Sequence, residues 1–245
     1  MEVVEYSNPN PAVNVALEEI LLETVRKGLR GPTARIWINP PSIVIGYTLK
    51  PCEEVDCVEA LKLGIPILRR VSGGGAVYHD YGNINVTIVR PSNTYKMVDH
   101  VYKEITEVIL GALRRLGVEG WVENLNDVVV KGYKVSGSSA ALRPGGYLAH
   151  ATLLVSSNIE VLRRVLKPRI DKVIRGEVTS AKYNPANLKD IAGTTLKEAL
   201  EAIKGALDDL YGPLNTSQVS NAELREAELI SKSKVLVSPL QAFPR

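Results

Sequence analysis

Hydrophobic side chains recur every three to four residues in five segments of the chain, and this spacing predicts amphipathic helices. In residues 11–29, Val13, Leu17 and Val25 fall on one face, and Asn10-Pro11 is a typical cap and first turn. The other segments are residues 53–63, 97–116, 158–166 and 195–210. Residues 219–245 contain the pattern of one more helix.

Short runs of alternating or β-branched residues predict strands between these helices. The clearest is INVTIV at residues 84–89, and the others are 34–38, 42–46, 67–71, 128–131, 133–136, 147–155 and 235–237. Strands cluster in the middle of the chain, which favours an α+β fold over a doubly wound parallel one. With no repeat and no low-complexity linker, we expect a single domain over residues 1–245, with its core in residues 1–212 and a short tail, 213–245.

Charge and composition narrow the classes of protein that such a fold serves. The chain has 30 basic and 27 acidic residues, and this near-balance argues against a protein built mainly to hold nucleic acid. No apolar run approaches the roughly 18 residues of a membrane span. The first residues carry no signal-peptide pattern, so we expect a cytoplasmic protein. Cys52 and Cys57, without a second pair, predict neither a disulfide framework nor a zinc site.

The segment RRVSGGGAVYHD, residues 69–80, is the strongest chemical signal. Three consecutive glycines after a strand add nothing to strand stability, but they let the backbone approach a ligand and direct N–H groups at it. Arg70 and His79 flank them and together suit a carboxylate or phosphate. The alternative is an ordinary glycine-rich hairpin turn. No Gly-Lys-Ser/Thr follows, so this is not a Walker loop.

A second segment, NDVVVKGYKVSGSSA at residues 126–140, places Lys134 on a strand. Alternation puts Ser136 on the same face, next to a Ser-Gly-Ser-Ser loop. A cation beside backbone donors suits a phosphate, although a lone lysine on a strand is usually a solvated residue.

Two further segments are less specific. In GGYLAHATLLV, residues 145–155, His150 and Thr152 share one strand face, but a single His in an apolar strand is more often structural. GEVTSAKYNPANL, residues 176–188, is polar and has the character of a surface loop.

Taken together and in order, these segments resemble the lipoate–protein ligases of the biotin/lipoate ligase superfamily. The resemblance begins with NVALEEILL (14–22) and NPPSIVIGY (39–47), and it continues through the glycine, Lys-Val-Ser-Gly and His-strand segments to VTSAKYNPANL. It implies a mixed, mostly antiparallel sheet with flanking helices.

The resemblance also implies an activity: adenylation of lipoic acid with ATP and Mg²⁺, then transfer of the acyl group to a carrier lysine. By family position Lys134 contacts the acyl-adenylate, and Asp127 is the candidate for a magnesium ligand or a contact on the ribose side. The other implied positions bind lipoate or ATP: Arg70, Ser72, Gly73, Gly74, Gly75, His79, Asn83, Ser136, Gly137, His150 and Thr152. Ser139, Ala140 and Ala151 depart from the residues that the family often has there.

The partners implied are lipoyl domains of 2-oxoacid dehydrogenases or the glycine cleavage H protein. Many relatives carry a further small C-terminal domain, and the roughly 35 residues after the helix at 195–210 are too few for it. We therefore expect a large subunit that works with a separate small subunit.

Three alternatives stay open at this point. An octanoyltransferase without ATP needs a nucleophilic Cys, and neither Cys52 nor Cys57 stands at that position. A biotin ligase has arginines interleaved with the glycines of its loop, whereas no arginine stands between the three glycines here. The third alternative is a lipoate- or nucleotide-binding subunit that is inactive without its partner.

Overall fold

A computed structural model describes residues 1–93, 98–167 and 183–237. Its helices are α1 (Pro11–Arg26), α2 (Cys57–Lys62), α3 (Val98–Arg115), α4 (Ile159–Val165), α5 (Leu188–Ala192), α6 (Leu196–Tyr211) and α7 (Asn221–Lys234). Its strands are β1 (Glu2–Glu5), β2 (Thr33–Ile38), β3 (Ser42–Ile45), β4 (Ile67–Arg69), β5 (Val77–His79), β6 (Asn83–Ser92), β7 (Trp121–Glu123), β8 (Asp127–Val130), β9 (Tyr133–Arg143), β10 (Gly145–Leu154), β11 (Asn215–Ser217) and β12 (Val235–Val237).

The strands form two sheets. The large sheet has the order β11-β1-β2-β6-β10-β9-β8-β7, and only the pairs β11/β1 and β1/β2 are parallel. The small sheet has the order β12-β4-β3-β5, with β3 and β4 parallel. The predicted α+β fold, a mixed and mostly antiparallel sheet with flanking helices, is confirmed.

Alternation along the central strands gives the large sheet two different faces. One face packs on α3 and α6 and is apolar: Ile36, Val86 and Ala151 pair in one row across β2, β6 and β10. The opposite face carries polar rows, Arg35–Thr87–His150–Ser139 and Trp37–Asn85–Thr152. Helices α1 and α7 pack together beside this polar face, which also faces the small sheet.

Helix boundaries follow local capping chemistry. The Asn10 side chain accepts from the Ala12 N–H at the start of α1, and Pro11 is the first helical residue. Helices α6 and α7 begin with capping boxes, Thr195 with Glu198 and Ser220 with Glu223. Helix α2 is shorter than predicted because Asp56 caps it, so it begins at Cys57.

Three sequence expectations need correction or completion. The Ser-Gly-Ser-Ser segment is not a loop: it lies within β9, which runs to Arg143 because β10 pairs with it from Ser138 onward. Strands β1, β5, β7 and β11 were not predicted, since three or four residues carry too little periodicity. Most of the predicted surface loop at 176–188 lies outside the described residues.

The two cysteines are also different from the prediction. Cys52 and Cys57 form a disulfide that closes the turn before α2. The turn brings their Cα atoms to 5.5 Å, within the range that a disulfide requires. A count of cysteines contains no information about a turn that closes over five residues, which is why the sequence argument missed it.

Candidate active site

A pocket lies between the two sheets, next to the polar face of the large one. Large-sheet strands supply its floor, β3 and β5 supply its roof, and α1 and α3 each contribute one side chain. The sequence-predicted residues that line it are Arg70, Gly74, Gly75, His79, Asp127, Lys134, Gly137, His150 and Thr152. Within the described part of the chain, Ser72, Asn83 and Ser136 are buried behind the pocket wall, whereas Gly73 is partly exposed and does not line the pocket.

Lys134 projects from β9 toward Asp127 on the neighbouring strand β8. Its Nζ lies 2.7 Å from Asp127 Oδ1, and the aspartate is 1% exposed while the lysine side chain is 25% exposed. Burial raises the pKa of Asp127, and the Lys134 ammonium opposes that rise. Lys134 therefore lies at the pocket and is paired with an aspartate whose ionised form is disfavoured by burial.

A β-bulge decides which residue accompanies Lys134. The β8/β9 register shifts between Val128 and Val129, so the simple alternation that placed Ser136 beside Lys134 was wrong. Gly137 takes that place, since a Cβ there would lie 3.2 Å from Lys134 Nζ. Ser136 is buried behind the pocket wall.

The glycine segment is not a hairpin turn. It joins β4 to β5, which lie on opposite sides of β3 in the small sheet, so it crosses over the end of β3. Gly74 has φ +85°, and a Cβ at Gly46 would lie 2.1 Å from the Gly74 carbonyl oxygen. These glycines are needed for a close approach of two backbone segments at the pocket, which removes the simpler interpretation of a turn.

Arg70 shapes this segment from within. Its guanidinium donates to the carbonyl oxygens of Val44, Gly73 and Gly75 at 3.0, 3.1 and 2.9 Å. Ser139 Oγ donates to the same Gly73 oxygen at 2.9 Å, so this departure from the family pattern adds a second clamp on the segment. Burial lowers the pKa of Arg70 to about 10, which still leaves it charged at neutral pH.

His79 does not supply the positive charge that its position beside Arg70 indicated. Burial, and then the nearby charges of His150 and Arg70, lower its pKa to about 3 despite the opposing field of Glu18. The ring is neutral at physiological pH and meets Trp37 edge-on, with centroids 5.8 Å apart. Its contribution to the pocket is shape and polarity rather than charge.

Glu18, on α1, anchors a hydrogen-bonded chain that the sequence argument did not find. Its carboxylate accepts from Thr87 Oγ1 at 2.6 Å and contacts His150 Nδ1 at 2.9 Å. Burial alone raises the pKa of Glu18, but His150, Thr87 and Arg35 outweigh it and hold the pKa below its usual range. Because an ionised carboxylate only accepts, Nδ1 of His150 is a donor.

The tautomer of His150 sets the next contact. When the ring is neutral, Nε2 has a lone pair and accepts the hydroxyl proton of Ser72, 2.8 Å away. Ser72 Oγ in turn accepts from Arg70 Nε at 2.9 Å. The arrangement has the order of an acid–His–Ser relay, but Ser72 is 1% exposed and lies behind the pocket wall. The chain orients the glycine segment; it does not present a nucleophile.

Several other residues line the pocket that were not predicted as site residues: Glu18, Trp37, Glu54, Asn85, Tyr102, Asn126 and Ser139. A signal existed for Glu18, because one of the two glutamates in NVALEEILL had to fall near the apolar face of α1. No such signal existed for Trp37 or Tyr102, whose pattern positions are compatible with ordinary core packing.

The described residues contain no group of three or more His, Cys, Asp or Glu side chains placed to hold a metal ion. Mg²⁺ needs fewer protein ligands when it also binds substrate phosphates and water, so Asp127 alone is compatible with it. Over the same described ranges, no helix is long and apolar enough to cross a bilayer.

A mixed sheet with a glycine crossover and a lysine facing a pocket defines a site suited to an anionic ligand. Residues 10–208 match the family model of the lipoyl protein ligase A/B catalytic domain. A relative from Aeropyrum pernix, described as a lipoate-protein ligase A, is 46% identical over 196 residues, which cover 80% of this chain and 73% of that protein.

Two solved structures agree with this match. One belongs to a bi-partite lipoate protein ligase and its E2 lipoyl domain from Thermoplasma acidophilum: TM-score 0.82, 28% identity, 95% of this chain and 92% of that one. The other is a lipoate-protein ligase A bound with ATP: TM-score 0.82, 26% identity, 95% and 94% covered. This chain belongs to the lipoyl protein ligase A/B catalytic domain family, and its enzyme class is that of the lipoate–protein ligases.

Proposed function

We propose that this enzyme activates lipoic acid with ATP as lipoyl-adenylate and transfers the lipoyl group to a lysine of a lipoyl carrier domain. In the first step the lipoate carboxylate attacks the α-phosphorus, and pyrophosphate leaves. In the second step the carrier amine attacks the acyl carbon, and AMP leaves. The observation that carries the proposal is the Lys134–Asp127 pair facing the glycine segment across one pocket.

The pocket residues have the chemistry that these steps require. The first step brings two anions together, and Lys134 offers a mobile charge at the position where negative charge accumulates. The glycine segment offers a backbone close to the ligand, held open by Arg70 and Ser139. Asp127, with substrate phosphates, would hold Mg²⁺, which would neutralise charge on the leaving pyrophosphate.

The remaining site residues have supporting roles in the proposal. His150 and Thr152 line the floor, next to Trp37. Ser72, Asn83 and Ser136 act from behind the wall, where Asn83 donates to the pocket residue Asn85 at 3.1 Å. Gly73 contributes the carbonyl oxygen that Arg70 and Ser139 bind. Lipoate and ATP are the proposed ligands, supported by the family match and by the ATP-bound relative.

We also propose that the chain is the large subunit of a two-part ligase that forms one domain over residues 1–245. Support comes from the Thermoplasma structure, whose described system is bi-partite and includes an E2 lipoyl domain. The tail packs on the body, since Ala227 of α7 joins the α1 cluster and β12 pairs with β4. The proposed carriers are lipoyl domains of 2-oxoacid dehydrogenases or the glycine cleavage H protein, and the proposed location is the cytoplasm, where ATP is available.

The disulfide between Cys52 and Cys57 argues against an ATP-independent acyltransferase, which needs a free cysteine as its nucleophile. Both cysteines of the chain are joined in one disulfide, so neither is a thiolate nucleophile in this state. The other alternative, a binding subunit that is inactive without its partner, is separated by assay.

The test is pyrophosphate release from ATP with lipoate, octanoate or biotin as the acid, followed by lipoylation of a purified lipoyl domain. Each assay is run with this chain alone and with a candidate small subunit encoded nearby. We expect lipoate-dependent pyrophosphate release, slow with the lone chain and faster with the partner. ATP-independent transfer from an acyl donor would contradict the proposal, and fast transfer by the lone chain with no gain from any partner would contradict its two-part form.

A further inference from the structure

Glu54 lies in the turn before α2 and reaches the glycine segment. Its Oε2 accepts the Ala76 N–H at 2.7 Å, and the residue is 7% exposed while lining the pocket. A Cβ added at Gly75 would lie 2.5 Å from the same oxygen, so the carboxylate occupies the space that glycine leaves. Glu54 thus fixes the Ala76 end of the segment, next to the Gly75 carbonyl that Arg70 holds, while Ser139 holds the Gly73 end.

The backbone around Glu54 is anchored to α4. The Glu54 carbonyl accepts the Lys167 N–H at 2.8 Å, and the Asp56 N–H donates to the Val165 carbonyl at 2.8 Å. Val55 and Leu166 form an isolated antiparallel bridge between these two bonds. These contacts hold one side of the turn but leave its outer loop, residues 50–53, at the protein surface.

The outer loop is closed by the disulfide. Cys52 stands two residues before Glu54 and Cys57 three residues after it, so the bond encloses Glu54 in a six-residue ring. Closing a loop covalently removes open conformations from the set that the segment can reach. Cys52 is exposed, so the bond is open to a reductant in solution.

We propose that Glu54 is a positioning residue for the glycine segment and that the Cys52–Cys57 disulfide holds Glu54 in place. The proposal rests on the proposed function, because it makes the shape of the acyl-adenylate site depend on the redox state of the turn. A dithiol reductant converts the disulfide to two thiols and is itself oxidised to a cyclic disulfide, so two electrons and two protons pass to the enzyme. The reduced turn holds the Glu54 carboxylate less firmly, so the hydrogen bond from the Ala76 N–H to Glu54 breaks more often.

The direct test is hydrogen–deuterium exchange at the Ala76 amide, which needs neither lipoate nor ATP. We expect Glu54→Ala to speed this exchange by about tenfold or more, because the amide loses its hydrogen-bond acceptor. Glu54→Gln keeps an acceptor oxygen and should stay much closer to the wild type. Glu53→Ala, which removes an exposed carboxylate from the same turn, is the matched control and should leave exchange unchanged.

The disulfide is tested in the same experiment without any substitution. Wild-type enzyme treated with a dithiol should exchange Ala76 faster than oxidised enzyme. A Cys52→Ser/Cys57→Ser double variant should resemble the reduced wild type and should not respond to the dithiol. In activity assays, Glu54→Ala, reduced wild type and the double Cys variant should each show a raised KM for the acid and for ATP, with a smaller loss of kcat. Glu54→Gln should stay much closer to oxidised wild type than Glu54→Ala does.

The outcomes separate cleanly. Unchanged Ala76 exchange in Glu54→Ala, or an equal change in Glu53→Ala, overturns the role of Glu54. Equal exchange in oxidised and reduced wild type overturns the role of the disulfide. If wild-type enzyme released no pyrophosphate while the exchange pattern held, the proposed function would fail and the positioning of the segment would stand.

Discussion

Glu18 and Asp127 are two of the buried carboxylates that line the pocket, and their surroundings differ. Glu18 is 2% exposed, and its carboxylate accepts hydrogen bonds from Thr87 Oγ1 and His150 Nδ1. These two groups and the nearby charge of buried Arg35 outweigh desolvation and hold the pKa of Glu18 below its usual range. Asp127 is 1% exposed and lies 2.7 Å from the Lys134 ammonium. The effect of desolvation is larger than that of the ammonium, so the pKa of Asp127 is raised. The difference separates a carboxylate that maintains the pocket from one that is ready to exchange its partner for a cation or a substrate.

This contrast explains the division of the pocket into two ends. At the Glu18 end every polar group is arranged before a ligand arrives, through His150 and Ser72 to Arg70. At the Asp127 end a flexible lysine is held by a partner that burial disfavours. Substitutions at the two ends should therefore have different consequences.

Removing the lysine should stop the chemistry without unfolding the protein. Lys134→Ala should lower the rate of pyrophosphate release by about a hundredfold or more, the typical loss of one electrostatic stabiliser in an active site. The fold should survive with some loss of melting temperature, because Asp127 loses its cationic partner but can take up a proton instead. Lys131→Ala, in the turn of the same hairpin, is the control and should retain activity. Near-normal release by Lys134→Ala would refute the assignment.

Filling the glycine crossover should remove ligand binding more than stability. Gly74→Val places a side chain 3.0 Å from the Arg70 guanidinium and in a backbone conformation, φ +85°, that valine resists. Gly132→Val is a matched control, with φ +80° and no atom within 4 Å of the added Cβ. Both should lose about 1–3 kcal/mol of stability to backbone strain.

Only Gly74→Val should also lose lipoate affinity, by about tenfold or more, which corresponds to 1.4 kcal/mol. Calorimetric titration and thermal melting of both variants measure the two effects. Equal affinity in the two variants would show that the crossover does not contact the ligand.

Replacing the satisfied carboxylate should disturb the floor of the pocket. Glu18→Gln should cost about 1–3 kcal/mol of unfolding free energy, since it breaks a buried network whose other members keep their positions. It should also free the Nδ1 proton of His150, which is visible as a change of tautomer in nitrogen-15 NMR of labelled histidine. The neighbouring Glu19→Gln, which alters a more exposed carboxylate, should leave the His150 tautomer unchanged. An unaltered tautomer in Glu18→Gln would mean that Glu18 does not orient His150.

The two carboxylates should have opposite pH dependences. Glu18 has a lowered pKa, so its contribution to stability is fully present above its usual pKa of 4.5 and is lost as the pH falls through the lowered value. Asp127 has a raised pKa, so folding favours its protonated form, and its contribution improves as the pH falls through that raised value.

Denaturant melts at several pH values, compared between wild type, Glu18→Gln and Asp127→Asn, measure this. The difference in unfolding free energy between wild type and Glu18→Gln should become smaller as the pH falls. The unfolding free energy of wild type should rise relative to that of Asp127→Asn as the pH falls. The same trend in both variants would contradict the contrast.

The sequence predicted the parts of this site that lie in contiguous segments. Lys134, the glycines and Arg70 were found because their local chemistry is unusual for a strand or a turn. Glu18 and Glu54 were missed because their roles depend on contacts across 132 residues to His150 and 22 residues to Ala76. Ser136 was misplaced by one bulge, which alternation cannot anticipate.

The same limits apply to the fold. The amphipathic pattern found α1, α3 and α6, and β6 was clear from alternation. The short strands β5 and β7 exist only because neighbouring strands pair with them, so no local pattern predicts them. The disulfide depends on the shape of one turn, and the number and spacing of cysteines did not determine it.

The central claim is that this pocket makes an acyl-adenylate, and mass spectrometry of that intermediate tests it most directly. Wild-type enzyme, alone and with a candidate small subunit, is mixed with ATP, Mg²⁺ and lipoate but without any carrier domain. We expect lipoyl-adenylate together with released pyrophosphate in wild-type enzyme, and about a hundredfold slower formation of both in Lys134→Ala. Absence of the adenylate from both wild-type mixtures, or its undiminished formation by Lys134→Ala, would contradict the proposed function.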